Sequence, residues 1–121
     1  MSAKSTFDNP APDPWCAGCG HTKVIHVLQD ALAKRFQPKD VILVTVIGGL
    51  GMADKMFTCH TVHGLHGRSP ALGAGIAVTR NDPKQKVVVL MGDGGAAIGL
   101  QHILDCARIN VNLTLVICNN Q

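Results

Sequence analysis

Three short apolar stretches predict strands of a parallel sheet, and the first two predict strands that are buried on both faces. They read DVILVTVI at residues 40–47, KVVVLM at 86–91 and LTLVIC at 113–118. Continuous, β-branched stretches of this length, bounded by turn residues, are typical of strands that helices cover on both sides. GGLG at 48–51 predicts a tight turn that ends the first strand.

Helical patterns lie before and between these stretches. Residues 22–36 place apolar side chains on one helical stripe, namely Val24, Val27, Leu28, Ala31, Leu32 and Phe36. Pro70 suits the first position of a helix of small residues that runs to residue 80, and residues 96–109 predict a third helix. Residues 52–69 show neither the helical nor the strand period of apolar residues and are expected to be irregular. The alternation predicts an α/β fold, an open parallel sheet with helices on both faces and right-handed crossovers.

Composition narrows the class of protein. The chain has 121 residues, 46% hydrophobic and 16% charged, which fits one domain at residues 15–121 behind an N-terminal arm at 1–14. The net charge of +3 is scattered and aromatic residues are few, which argues against a nucleic-acid partner. The apolar stretch at 41–51 is too short to cross a membrane, and the polar start lacks a signal peptide's apolar region, so we expect a cytoplasmic protein.

Asp93 is the most informative charged residue. It follows the second predicted strand, in GDGG, and Asn119 and Asn120 follow the third strand in the same way. If these strands are neighbours, the polar groups project from the same carboxyl edge of the sheet, where ligands bind in open parallel sheets. A carboxylate and an amide oxygen favour Mg²⁺, which completes its coordination with water and substrate phosphates.

The glycines around Asp93 favour a diphosphate ligand. Gly94 and Gly95 leave the start of the next helix free of bulky side chains, so its backbone N–H groups are open to phosphate oxygens. A plain tight turn, with Asp93 capping the helix, is the alternative for GDGG taken alone. The 24 residues between GDG and NN, enough for one helix and one strand, favour the shared site.

GDG followed by NN at this interval resembles the thiamine-diphosphate enzymes. The resemblance implies that Asp93 and Asn120 bind Mg²⁺, and that a backbone carbonyl at position 122, beyond the last residue, supplies a third ligand. Because the sequence stops directly after a strand, we expect the domain to be incomplete at its C-terminal end.

Three further motifs resemble the β subunits of 2-oxoacid:ferredoxin oxidoreductases from about residue 15 onward. They are WCAGCGH at 15–21, IGGLG at 47–51 and HGLHGR at 63–68. The resemblance implies oxidative decarboxylation of a 2-oxoacid to acyl-CoA, with electrons passed to ferredoxin. It also implies thiamine diphosphate, Mg²⁺ and a four-iron, four-sulfur cluster as cofactors, and an α subunit, with γ and δ subunits in some members, as partners.

The same resemblance assigns candidate site residues. The positions expected at the cofactor are Gly48, Gly49, His66, Gly92, Asp93, Gly94, Gly95 and Asn120. His66 and Arg68 are catalytic candidates; His66 matches a position near the diphosphate, and Arg68 is expected to make either a fold contact or a contact with the substrate carboxylate.

Five cysteines in a non-secreted chain are more typical of thiols or metal ligands than of disulfides. Cys16 and Cys19 match the first two ligands of the family's iron–sulfur cluster. The family's third cysteine is replaced by Gly49, and Cys59 is a possible substitute. A zinc or thiol turn formed with His21 is the alternative for this Cys-x-x-Cys. Cys106 and Cys118 are expected to be buried apolar residues.

All eight acidic residues are aspartates. Thiamine enzymes rely on a glutamate at the aminopyrimidine ring of the cofactor, so the resemblance implies that another chain holds this half and that the 121 residues alone are inactive. Two alternatives stay open. One is a subunit of a non-oxidative thiamine-diphosphate decarboxylase or synthase, which needs no cluster. The other is a non-catalytic assembly module with the same fold.

Overall fold

The computed structural model describes residues 5–80 and 82–120. Within these residues, one sheet has four strands in the spatial order β2–β1–β3–β4, and every neighbouring pair is parallel. The strands are β1 (Val41–Thr45), β2 (His60–His63), β3 (Lys86–Gly92) and β4 (Thr114–Cys118). The predicted open parallel sheet is confirmed, and so is the adjacency of the strands that precede Asp93 and Asn119.

Helices cover both faces of this sheet. They are α1 (Gly20–Ala33), α2 (Ser69–Thr79), α3 (Asp93–Ile98) and α4 (Leu100–Arg108). Because side chains alternate along a strand, Leu43 and Leu90 pack with Ile25 of α1 on one face. Val44 and Val89 pack with Ala77 of α2 on the other face. The small residues of α2 allow a close approach, since a Cβ at Gly73 would lie 2.6 Å from Val89 Cγ2.

The expectation of irregular structure at residues 52–69 is wrong in part. A 3₁₀ segment runs over Gly49–Met56, and β2 pairs with the outer side of β1 from Ile42↔His60 to Thr45↔His63. Strand β2 is the sequence HTVH, and three of its four residues are exposed. Because this edge strand is polar, the pattern of apolar stretches does not predict it.

The predicted apolar stripe of the first helix is also wrong in part. The buried residues of α1 are Ile25, Gln29 and Leu32. Gln29 is tolerated there because its Nε2 donates a hydrogen bond of 2.7 Å to the Met56 carbonyl. The opposite side, with Val24 and Val27, lines an open apolar groove beside β4, and Val27 is 61% exposed.

The third predicted helix, at 96–109, is two helices. The first, α3, begins at Asp93, and Gly99 separates it from α4. The break coincides with a backbone contact, since a Cβ at Gly99 would collide with the Gly67 carbonyl oxygen. The interruption therefore depends on a distant turn and not on the local pattern.

The segment before residue 15 packs on the domain. Phe7 is fully buried, and Asp8 forms an isolated antiparallel bridge with Phe57. Burying a side chain of this size contributes about 1.5–3 kcal/mol to stability. Residues 1–4 of the predicted arm lie outside the described residues. Across 5–80 and 82–120, no helix is both long and apolar enough to cross a bilayer.

Candidate functional site

A cavity of about 220 Å³ lies at the carboxyl edge of the sheet. The turn after β1 contributes Gly48 and Gly49, the segment after β3 contributes Gly92–Gly95, and the segment after β4 contributes Asn120. His66 and His21 complete its polar lining. All eight positions that the sequence assigns to the cofactor therefore line one cavity.

Asp93 and Asn120 lie side by side in this cavity. The ladder between β3 and β4 ends at Gly92↔Cys118, so the two chains leave the sheet together. The Asn120 backbone N–H donates a long hydrogen bond of 3.5 Å to Asp93 Oδ1. Asp93 is the first residue of α3, its N-cap is Gly92, and no side-chain cap hydrogen bond forms there. The carboxylate is therefore not used as a helix cap, and it is available to a ligand.

The glycines next to Asp93 differ in what they leave room for. A Cβ at Gly94 would meet nothing within 4 Å, whereas a Cβ at Gly95 would touch Met91 and Val46 at 3.4 Å. Gly95 is thus part of the packing between α3 and the sheet, and Gly94 leaves open space at the cavity. Gly48 has φ +125, a conformation that favours glycine, and its Cβ position is also open. These residues fit a diphosphate with its Mg²⁺.

His66 is fixed by the end of β1. Its Nδ1 lies 2.8 Å from the Ile47 carbonyl oxygen. The next residue, Gly67, has φ +72. A Cβ added to Gly67 would lie 3.1 Å from the Gly99 backbone nitrogen, so this turn packs closely on the backbone at Gly99. The turn that carries His66 is thus packed on the chain that follows Asp93.

Arg68 contacts α4, one of the two helices that follow β3. Its Nη1 donates a hydrogen bond of 2.6 Å to His102 Nε2 on α4. Two roles are expected for Arg68, a fold contact and a contact with the substrate carboxylate. This hydrogen bond corresponds to the first. His102 is its acceptor.

His21 is the polar lining residue that the sequence did not assign to the cofactor. It follows the Cys16–Cys19 turn at the start of α1, and its ring lies 5.6 Å from the Trp15 ring. Its Cε1 would lie 3.1 Å from a Cβ at Gly49, and Trp15 Nε1 donates a 2.8 Å hydrogen bond to the Gly49 carbonyl. The motif WCAGCGH contains His21, but only the tertiary structure brings it beside the turn after β1.

The cysteines do not form the cluster site that the family resemblance implies. Cys16 and Cys19 share a turn in which the Cys19 N–H donates to the Cys16 carbonyl at 3.0 Å. No three His, Cys, Asp or Glu side chains come together as a metal site anywhere in the described ranges. Gly49 provides no thiolate, and burial raises the pKa of the Cys59 thiol to about 11. The described residues alone therefore do not complete a four-iron cluster, and the cluster stays a prediction.

The remaining cysteines and histidines have structural surroundings. Cys106 is buried and Cys118 partly buried, and burial raises the pKa of both thiols. His63 Nδ1 lies 3.1 Å from Asp54 Oδ2 and 3.2 Å from Thr45 Oγ1, while His60 is exposed at the start of β2. Neither His60 nor His63 lines the cavity at Asp93.

Comparison with known proteins agrees with this geometry. The family model described as thiamine pyrophosphate enzyme, C-terminal TPP binding domain, matches residues 45–121. The 2-oxoglutarate synthase subunit KorB of Archaeoglobus fulgidus is 38% identical over 110 residues, which are 90% of this chain and 40% of that protein. The 2-oxoacid:ferredoxin oxidoreductase subunit beta of Saccharolobus solfataricus is 36% identical, over 88% of this chain and 35% of its own length.

A solved structure gives the same result. The 2-oxoglutarate:ferredoxin oxidoreductase from Magnetococcus marinus, with 2-oxoglutarate, coenzyme A and succinyl-CoA bound, superposes with a TM-score of 0.88 at 31% identity. The match covers 99% of this chain and 42% of that one. The resemblance drawn from the motifs is thereby confirmed. This chain spans less than half of the length of these relatives, from 35% to 42%.

Proposed function

This chain belongs to the thiamine pyrophosphate enzymes, and we propose that it is the diphosphate-binding part of a 2-oxoacid:ferredoxin oxidoreductase β subunit. The observation that carries the proposal is the single cavity in which Asp93, Asn120 and the glycine-lined space meet. Similarity to named β subunits over about nine tenths of the chain supports the choice of enzyme.

Four of the lining residues would take part in holding the cofactor. Asp93 and Asn120 would bind Mg²⁺, and the space at Gly94 would admit the diphosphate. His66, held by the Ile47 carbonyl, would stand at the phosphate oxygens. When bound, thiamine diphosphate supplies the electron sink for decarboxylation of a 2-oxoacid, and the protein supplies positioning and electrostatics.

Partner chains complete the proposed enzyme. Because the chain contains no glutamate, the aminopyrimidine half of the cofactor would be held by an α subunit. Coenzyme A, a 2-oxoacid and ferredoxin are the proposed reactants, in the cytoplasm. The proposed substrate is given as a 2-oxoacid in general, because relatives are named for 2-oxoglutarate and for ketoisovalerate.

A second candidate is favoured by one observation. Gly49 provides no third thiolate beside Cys16 and Cys19, and the His21 ring occupies the adjoining space. A subunit of a non-oxidative thiamine-diphosphate decarboxylase or synthase would need no cluster. We therefore assign no electron-transfer step to the residues of this chain.

Calorimetric titration of the chain assembled with its proposed α subunit, by thiamine diphosphate with and without Mg²⁺, tests the proposal. We expect Mg²⁺-dependent binding that Asp93→Ala abolishes. Asp30→Ala, at an exposed position of α1, is the matched control and should bind like the wild type. Absence of binding by the wild type, or unchanged binding by Asp93→Ala, would contradict the proposal and favour a non-catalytic assembly module.

A further inference from the structure

The hydrogen bond of His66 determines which of its ring nitrogens carries a proton. A backbone carbonyl oxygen only accepts hydrogen bonds, so the nitrogen 2.8 Å from Ile47 O must be the donor, Nδ1–H. In a neutral imidazole the other nitrogen, Nε2, then carries a lone pair and no proton. Nε2 is therefore the one polar atom that His66 has left to offer a ligand.

A phosphate oxygen cannot use that lone pair. Both atoms are acceptors, so a hydrogen bond between them requires a proton on Nε2, which makes the ring an imidazolium. A charged imidazolium also forms a shorter and stronger hydrogen bond to an anion than a neutral donor does. A diphosphate at His66 thus selects the protonated form of the side chain.

The cavity offers few other positive charges. Among the described residues, no lysine or arginine lines it, and only His21 and His66 can become cationic there. Asp93, also in the lining, carries the opposite charge. Arg68, two residues after His66, is occupied by its hydrogen bond to His102, and His63, three residues before, lies against Asp54.

We propose that His66 takes up one proton when thiamine diphosphate and Mg²⁺ bind, so that this side chain couples cofactor affinity to pH. The inference rests on the proposed function, because it requires the diphosphate in the Asp93 cavity. The negative charge of the diphosphate favours the imidazolium, and by linkage the affinity falls as rising pH withdraws the proton from the free protein.

Calorimetry in two buffers of different ionisation enthalpy measures the proton directly. The chain assembled with its proposed α subunit is titrated with thiamine diphosphate at saturating Mg²⁺ from pH 6 to 8.5, and the dependence of the observed enthalpy on the buffer gives the number of protons taken up. His66→Gln keeps a hydrogen-bond donor that does not titrate. Since the ligand is the same, its own protons cancel in the difference between wild type and variant. His26→Gln, on the exposed side of α1, is the control.

We expect the wild type and His26→Gln to take up more protons than His66→Gln, by at most one, and the excess to grow as the pH rises through this range. The wild-type affinity should fall relative to His66→Gln by up to about tenfold per pH unit where the difference is one proton. A second readout needs no variant. The pH midpoint of the His66 ring signals in NMR should move upward when the ligand is added.

Equal proton numbers for the wild type and His66→Gln, with Mg²⁺-dependent binding retained, would overturn the proton uptake and leave the diphosphate site intact. Proton uptake that disappears in His21→Gln but not in His66→Gln would also overturn it. If His66→Gln does not fold, an unmoved NMR midpoint of the bound wild type overturns it instead. A wild-type chain that binds no thiamine diphosphate would overturn this inference together with the proposed function.

Discussion

Gly67 and Gly99 meet backbone to backbone, and their contact sets the turn that carries His66 against the helices that follow Asp93. A Cβ at Gly67 would lie 2.6 Å from Ile98 Cγ2, and one at Gly99 would strike the Gly67 carbonyl oxygen. Two segments of the cavity wall, far apart in the sequence, therefore fit together only because neither Gly67 nor Gly99 carries a side chain.

Gly99→Ala should separate these segments. Gly99 has φ −96, which alanine adopts without strain, so the contact alone determines the effect. We expect the free energy of unfolding to fall by about 1–3 kcal/mol, the usual cost of forcing a group into a packed site, and the affinity for thiamine diphosphate to fall as well. Urea denaturation and calorimetry measure the two effects.

Gly75→Ala is the matched control for this substitution. Gly75 lies within α2, and its Cβ position has nothing within 4 Å. Replacing a helical glycine with alanine there should raise the free energy of unfolding by about 0.5–1 kcal/mol. Equal stability of the two variants would mean that the Gly67–Gly99 contact does not hold the turn.

Gly94→Ala separates folding from binding. The added methyl group would meet no protein atom within 4 Å, so the free energy of unfolding should stay within about 1 kcal/mol of the wild type. The same methyl group occupies the space proposed for the diphosphate, and the dissociation constant should rise about tenfold or more, a loss of at least about 1.4 kcal/mol. Unchanged affinity in a folded Gly94→Ala chain would place the diphosphate elsewhere.

The cysteines should differ in their reactivity toward iodoacetamide. Burial raises the pKa of Cys59 to about 11, so at pH 8 its thiolate fraction is about one in a thousand, and only the thiolate reacts. Cys16 is exposed and should be modified first. Mass spectrometry of the alkylated chain gives the order.

The rate at Cys59 should also rise about tenfold per pH unit below pH 11, because the thiolate fraction does. In denaturant all five cysteines should react alike, which controls for accessibility. Modification of Cys59 as fast as that of Cys16 in the folded chain at pH 8 would show that Cys59 is not desolvated.

Anaerobic reconstitution with iron and sulfide tests the cluster site. We expect the wild type to lose iron on desalting, since only Cys16 and Cys19 are in place. Gly49→Cys adds the third thiolate, but the His21 ring lies 3.1 Å from the new Cβ. Gly49→Cys combined with His21→Ala should therefore retain more iron than Gly49→Cys alone. A wild-type chain that keeps about four irons and four sulfides would contradict the loss of the cluster.

The local pattern was sufficient for much of the fold. The three predicted strands, α2 with its early proline, and the pairing of β3 with β4 follow from apolar stretches and turn residues, although β4 lies at the sheet edge and has no buried residue. It missed β2, since HTVH is polar and exposed at the sheet edge. It also misplaced the buried side of α1, where the hydrogen bond from Gln29 to Met56 makes a polar residue part of the core.

The sequence by itself determined the parallel sheet and the residues at its carboxyl edge, because strand period and the 24-residue interval between GDG and NN are local properties. Only the tertiary structure decided three things: that His21 lines the cavity beside Gly49, that Gly67 interrupts the helix at Gly99, and that the Ile47 carbonyl fixes the proton on His66 Nδ1. Each is a contact between segments distant in sequence, and the pattern of side chains along the chain does not specify which distant segments meet.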